Sequence, residues 1–126
     1  MKRDDAALLI YTSGTTGLPK AAKISHVRGV GALRVFGAAY HVNQHDRLYC
    51  VLPLYHSTGG LGAVGAALFA GAAIILRRKF SATHFWADCV NHQATVFVYI
   101  GELCRYLLNQ PETPDEKRHK LRLMFG

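Results

Sequence analysis

Residues 6–24 read AALLIYTSGTTGLPKAAKI: an apolar run, a loop of hydroxyl residues and glycines closed by Pro19 and Lys20, and a second short run ending at Ile24. Two short strand-like runs around a Gly/Ser/Thr-rich turn predict a β-hairpin, with one strand over residues 6–11 and its returning partner over residues 21–24. Gly14 and Gly17 allow positive φ and close backbone approach, while Thr12, Ser13, Thr15 and Thr16 set hydroxyls beside exposed N–H groups. Lys20 adds a point charge a few residues on. Such a concavity suits phosphate oxygens, and the loop reads as a clamp for the polyphosphate of a nucleotide. It departs from the Walker pattern, in which glycine precedes the lysine and a hydroxyl follows it; here Pro19 precedes Lys20 and Ala21 follows.

Beyond the hairpin, the pattern alternates. Ser25 stands as N-cap for a helix over residues 27–40, whose apolar face would carry Val27, Val30, Leu33, Val35 and Phe36, with Arg28 and Arg34 toward solvent. Residues 47–54 (RLYCVLPL) are strand-like until Pro53. The uncharged run over residues 57–76 divides into a Gly/Ala-rich helix to residue 70, a turn at Gly71 and a strand stopping at Arg77. Ser81 caps a further helix over residues 83–91. A buried strand follows over residues 95–100, then a short helix over 102–109 ended by Pro111, a charged loop and a last apolar piece over 121–126. Strands alternating with helices predict an α/β fold: a mostly parallel sheet with helices on both faces, preceded by the hairpin that carries the phosphate loop. Residues 1–126 read as a single incomplete domain, with the last strand cut at its far end.

The chain has 126 residues, half of them apolar, and a net charge of +7. The positive balance favours anionic partners. Its basic residues are scattered as solvated surface except at residues 77–79 and 117–122, and neither cluster carries the interleaved aromatics of a base-stacking platform, so no nucleic-acid partner is expected. Cys50, Cys89 and Cys104 are odd in number and widely spaced, which argues for reduced core thiols in a cytosol-facing protein rather than disulfides or a zinc site. His41 and His45 share a helical spacing but lack a third ligand, so no metal site is expected. Asp88 and Glu102 each stand near a helix start, where a lone carboxylate complements the helix dipole.

The string TSGTTG-x-PK resembles the signature of the adenylate-forming enzymes, which include acyl-CoA synthetases, firefly luciferases and the adenylation domains of peptide synthetases. Pro53-Leu54-Tyr55-His56 resembles that family's second motif, in which an aromatic residue and a histidine border the carboxylate-substrate pocket. Residues 79–89 (KFSATHFWADC) and 99–111 (YIGELCRYLLNQP) are similar to the branch of fatty acid transport proteins and very-long-chain acyl-CoA synthetases. The resemblance covers nearly the whole chain. It implies activation of a long- or very-long-chain fatty acid with ATP to an acyl-adenylate, then transfer to coenzyme A, with Mg²⁺ beside the phosphates. It implies that Thr12, Ser13, Gly14, Thr15, Thr16, Gly17 and Lys20 hold the ATP phosphates. Tyr55 and His56 would border the acyl substrate, His56 orienting rather than acting as a base, and Gly101 would leave room in the acyl tunnel. A membrane-associated, cytosol-facing parent enzyme at the endoplasmic reticulum or plasma membrane follows from the same likeness, with a homodimer left open. The family's Tyr-Gly-x-Thr-Glu segment, its ribose-gripping aspartate and its distal catalytic lysine do not occur here, so the chain alone is expected to be inactive and no catalytic residue is assigned.

Two rival readings stand beside this one. Gly60, Gly62 and Gly65 match G-x-G-x-x-G between a strand and a helix, the fingerprint of a dinucleotide-binding module, although Arg77 and Arg78 stand where an acidic residue is expected. The uncharged run over residues 57–76, flanked by Arg77-Arg78-Lys79, has the length of a membrane-spanning helix, weakened by its five glycines.

Overall fold

The computed structural model describes residues 2–12 and 17–126. β1 (Ala6–Thr12) and β2 (Lys20–Ser25) pair antiparallel, with Thr12 opposite Lys20 at the loop end. The expected hairpin is present, but its apolar strand is not buried: Leu8, Leu9 and Tyr11 are 47%, 57% and 62% exposed. The reason is topological, because the two strands form a sheet of their own rather than joining the main one. The ribbon is tied to the next element by backbone bonds, His26 N–H donating to the Asp5 carbonyl (3.1 Å) and Val27 N–H to that of Arg3 (3.0 Å).

Helix α1 (His26–Ala39) begins where the sequence places it, but Ser25 holds the N-cap backbone position without a side-chain cap bond. The buried face also differs from the expected valine stripe. Gly29 and Gly37 are buried, whereas Val27, Val30 and Val35 are exposed. Close helix approach explains this: a methyl at Gly37 would meet the Phe69 ring, and one at Gly65 would meet Leu33. The glycine side of α1 therefore packs on the helix that carries Phe69, and only Leu33 and Phe36 of the predicted face turn inward, each half-buried.

The main sheet has the order β4-β3-β5-β6 and is parallel throughout, with β3 at Arg47–Cys50, β4 at Ala73–Leu76, β5 at Val96–Val98 and β6 at Leu123–Phe125. Between β3 and β4 the chain runs through a π-helix (Thr58–Val64) and α2 (Gly65–Ala70), which ends at Gly71 with φ 69°. The left-handed turn at Gly71 is the one the sequence places there. The π-helix replaces the first half of the expected α-helix. It lies directly on the preceding loop, where methyls at Gly59 and Gly60 would collide with the carbonyl oxygens of Pro53 and Leu54.

Both faces of the sheet are covered, as expected of parallel strands. Tyr49 and Phe97 point to α3 (Phe85–Asn91), their rings 5.6 and 4.6 Å from that of Phe85. On the other face Phe125 stacks on Tyr40 at 4.1 Å and Phe36 at 6.5 Å. Leu48, Cys50, Val96, Phe97 and Val98 are fully buried. α3 starts two residues later than predicted. Ser81 is a turn residue, not its cap: the Ser81 carbonyl accepts from His84 N–H (3.3 Å), and its hydroxyl lies 2.9 Å from His84 Nδ1. α4 (Gly101–Leu108) is followed by a 3-10 turn (Pro114–Lys117) before β6. Trp86 of α3 stacks on His119 at 4.9 Å and 17°, and His119 Nδ1 accepts from Leu121 N–H (3.0 Å).

The N-terminal ends of three sheet strands are locked by Asp46, whose residue is 3% exposed. Its carboxylate accepts from Asn43 N–H (2.9 Å), the Thr95 hydroxyl (2.7 Å) and Arg122 Nε (2.9 Å). Arg122 also donates to the His41 carbonyl (2.9 Å), and Thr95 Oγ1 accepts from Arg47 N–H (2.9 Å). Burial alone would push the Asp46 carboxyl up, but Arg122 and the two further donors outweigh it and hold the group below the usual carboxylate range. Arg122, from the basic cluster over residues 117–122, is thus a structural partner.

Candidate functional site

The hairpin brings Thr12 and Lys20 together across the loop, the Thr12 hydroxyl donating to the Lys20 carbonyl at 3.3 Å. Gly17 follows with φ 154°, a conformation open essentially to glycine. Lys20 is exposed. Ser13, Gly14, Thr15 and Thr16, the remaining residues assigned to phosphate, lie outside the described residues.

Beside the hairpin opens a cleft of about 400 Å³. One wall is β1, through Leu8, Leu9 and Ile10; the other is the loop with Leu54, Tyr55 and His56, backed by Gly60, Leu61 and Val64 of the π-helix. The loop is held in a turn by His56 N–H to the Pro53 carbonyl (3.1 Å), and the π-helix is joined to it by Gly60 N–H to the His56 carbonyl (2.8 Å). Gly59 and Gly60 make this contact sterically feasible. Tyr55 and His56 lie side by side, rings 4.6 Å apart, with Tyr55 75% exposed. The structure thus brings these two predicted residues to one apolar cleft adjoining the hairpin. Gly101 stands elsewhere, exposed at the start of α4 with no atom within 4 Å of a would-be Cβ.

The cleft's walls are mostly apolar, and none of the described residues lining it is an acid. Tyr49 donates to Asp88 (2.8 Å) and is held protonated, first by burial and then by that carboxylate. Burial, reinforced by Asp88, pushes the Cys89 thiol up to about 12, and burial raises Cys50 too, so neither is a thiolate at neutral pH. Glu102 is held below its usual range by hydrogen bonds from its helix neighbour Arg105. Asp88 lies in the first turn of α3 as expected, and it additionally pairs with Arg77 at 2.9 Å. Among the described residues no group of three or more His, Cys, Asp and Glu side chains could hold a metal ion. The arrangement can bind and orient a ligand.

The glycines of the G-x-G-x-x-G string are taken up by packing: Gly60 against the loop backbone, Gly62 near Phe36, Gly65 against Leu33. They fall inside helical turns, and the loop over residues 51–57 separates them from β3. The uncharged run is split between the π-helix, α2 and β4, and among the described residues no helix is long and apolar enough to cross a membrane. Sequence reasoning missed the contribution of β1 to the cleft. The uninterrupted triplet Leu8-Leu9-Ile10 was its signal, an apolar run on a strand that lies outside the main sheet.

The whole chain, residues 1–126, matches the AMP-binding enzyme family. It is 51% identical over 122 residues to the long-chain fatty acid transport protein 3 of Homo sapiens, covering 97% of this chain and 18% of that protein. It is 46% identical to the medium/long-chain-fatty-acid–CoA ligase FadD6 of Mycobacterium tuberculosis, covering 97% of this chain and 21% of the ligase. Among solved structures, ATP-bound MatB from Rhodopseudomonas palustris superposes with a TM-score of 0.81 at 30% identity, over 98% of this chain and 24% of that one. An α/β architecture with a separate hairpin, an apolar cleft beside it and this likeness define an adenylate-forming type of domain. The chain belongs to the AMP-binding enzyme family, and it spans about a fifth of the length of the curated relatives it matches.

Proposed function

We propose that this chain is the nucleotide- and acyl-holding part of an enzyme that activates long- or very-long-chain fatty acids with ATP and passes the acyl group to coenzyme A, in the service of fatty acid uptake. The reading rests on one juxtaposition: a hairpin whose ends, Thr12 and Lys20, close a loop of hydroxyls and glycines, next to an apolar cleft walled by Tyr55 and His56. A carboxylate is a poor electrophile, so displacement of pyrophosphate needs donors already aimed at the charge developing on the leaving group. Thr12, Ser13, Thr15, Thr16 and the loop N–H groups supply them, with Gly14 and Gly17 admitting close approach and Lys20 adding charge. Magnesium, when bound, would neutralise the phosphates; among the described residues no group of three or more potential ligand side chains could hold it. Tyr55 and His56 orient the acyl end, and Gly101 leaves room along its path. The enzyme works at a membrane facing the cytosol, as the transport-protein names of its relatives suggest, with a homodimer as one assembly open to it.

The test is direct. The unaltered chain should bind ATP in a calorimetric titration, and Thr15→Ala/Thr16→Ala/Lys20→Ala should abolish that binding while leaving the thermal midpoint unchanged. The chain alone should support no ATP–pyrophosphate exchange. Unchanged ATP affinity in the triple variant would remove the loop from its role.

A further inference from the structure

The valines of α1 that stay out of the core share their surface with charge. A hollow of about 370 Å³ opens between the turn ahead of β1 and the outer face of α1, lined by Arg3, His26, Val27, Val30, Gly31 and Arg34. It shares no residue with the apolar cleft. Arg3 and Arg34 bring permanent charge, and the His26 ring offers an N–H in either protonation state.

The backbone fixes where these groups stand. Val27 N–H donates to the Arg3 carbonyl at 3.0 Å and His26 N–H to that of Asp5 at 3.1 Å, which ties the turn carrying Arg3 to the first turn of α1. The same bonds engage two N–H groups that a helix start would otherwise present, so recognition here falls to side chains. Among the described residues Arg3, His26 and Arg34 take part in no ion pair, and their side chains make no hydrogen bond. The acids nearby in sequence do not compensate them: neither Asp4 nor Asp5 lines the hollow, and the Asp5 carboxylate accepts from Lys2 N–H at 2.7 Å. From residue 6 to residue 45 the chain has no Asp or Glu, so the hollow lies in a field of one sign.

Beside the charges the surface is apolar and open. Val27 and Val30 are 36% and 57% exposed, about one turn apart on α1, and nothing lies within 4 Å of a would-be Cβ at Gly31. A small hydrated anion would gain nothing from two exposed valines, whereas a basic cluster beside an apolar step suits the interface of an anionic bilayer. We propose that Arg3, His26 and Arg34 receive the phosphate of an anionic lipid headgroup, with Val27 and Val30 against the glycerol and upper acyl region. The inference rests on the reading that the enzyme works at a membrane, and it names the residues that meet it. Free phosphate shares the recognising chemistry, and the experiment separates the two sources.

The 126-residue chain is titrated with phosphatidylcholine vesicles containing phosphatidic acid, with vesicles of phosphatidylcholine alone, with inorganic phosphate and with ATP. It is compared with Arg3→Ala/Arg34→Ala and with Lys117→Ala/Lys120→Ala, which removes the same charge outside the hollow. Affinity for the phosphatidic acid vesicles should fall about thirtyfold in the first double variant, the contribution of two basic residues at an anionic surface. It should stay within about twofold in the second, where only the general field changes. Val27→Ser/Val30→Ser should weaken vesicle binding and leave the melting temperature alone, since both side chains are already exposed. ATP affinity should be the same in every protein. Equal weakening in the two charge variants, no weakening in either, or equal affinity for vesicles of phosphatidylcholine alone would each overturn the assignment. Saturable binding of inorganic phosphate as tight as that of the vesicles, and untouched by the valine changes, would give the hollow to a free anion instead. A chain that binds ATP but no vesicle sinks this inference alone; one that binds neither sinks the functional reading as well.

Discussion

The two ends of the parallel sheet are built on opposite plans. At the N-terminal ends of the strands a carboxylate, Asp46, is buried and satisfied by a guanidinium, a hydroxyl and a backbone N–H, so that β3, β5 and β6 leave one polar knot. At the C-terminal ends Tyr55 is 75% exposed, and Arg78 and Lys79 are exposed and, among the described residues, in no ion pair. The contrast separates stability from access: groups that complete one another within the chain hold it together, and the opposite end leaves its side chains open to solvent.

The largest effect should come from breaking the lower knot. Asp46→Ala should cost about 2–3 kcal/mol in urea unfolding, less than the loss of a fully buried pair because Arg122 is partly exposed and can rehydrate. The pH dependence sharpens this. The folded carboxyl of Asp46 lies below its unfolded value, so its contribution is fully present above the ordinary carboxylate range of about 4 and disappears as pH falls through the depressed folded value. The stability gap between the native chain and Asp46→Asn, measured by urea midpoints, should be constant from about pH 7 to 5 and shrink below about pH 4. A gap that widened on acidification would refute the pairing.

At the upper end the tight spot is backbone against backbone. Gly59→Ala should cost about 1–3 kcal/mol, because its methyl meets carbonyls that cannot rotate away. Gly31→Ala, on the open side of α1 with nothing within 4 Å, should instead raise stability by about 0.5 kcal/mol through the unfolded state. The smallest change in stability belongs to Tyr55→Ala, under about 0.5 kcal/mol for a side chain this exposed. Binding of a long-chain acyl ligand should nevertheless weaken measurably; a variant with native affinity would detach Tyr55 from the cleft.

Where the determinants are local, the sequence was readable. Pro53, Gly71 and Pro111 marked breaks at or near those observed, and strands alternating with helices implied the parallel sheet. Where they are distant or steric, it was not. Asp46 and Arg122 stand 76 residues apart, and a single sequence gives no hint that they meet. The valines of α1 outscored its glycines as a candidate core face, yet close approach between helices is governed by what is missing from the surface rather than by what is greasy. The site was legible in pieces: the hairpin string and Tyr55-His56 each stood out, while the wall formed by Leu8, Leu9 and Ile10 required the ribbon to be seen outside the main sheet.

Trp86 is the chain's single tryptophan, and it lies flat on His119 in the seam between α3 and the approach to β6. Its ultraviolet emission should therefore report whether that seam stays shut. The molecule thus carries a built-in optical gauge of its own integrity.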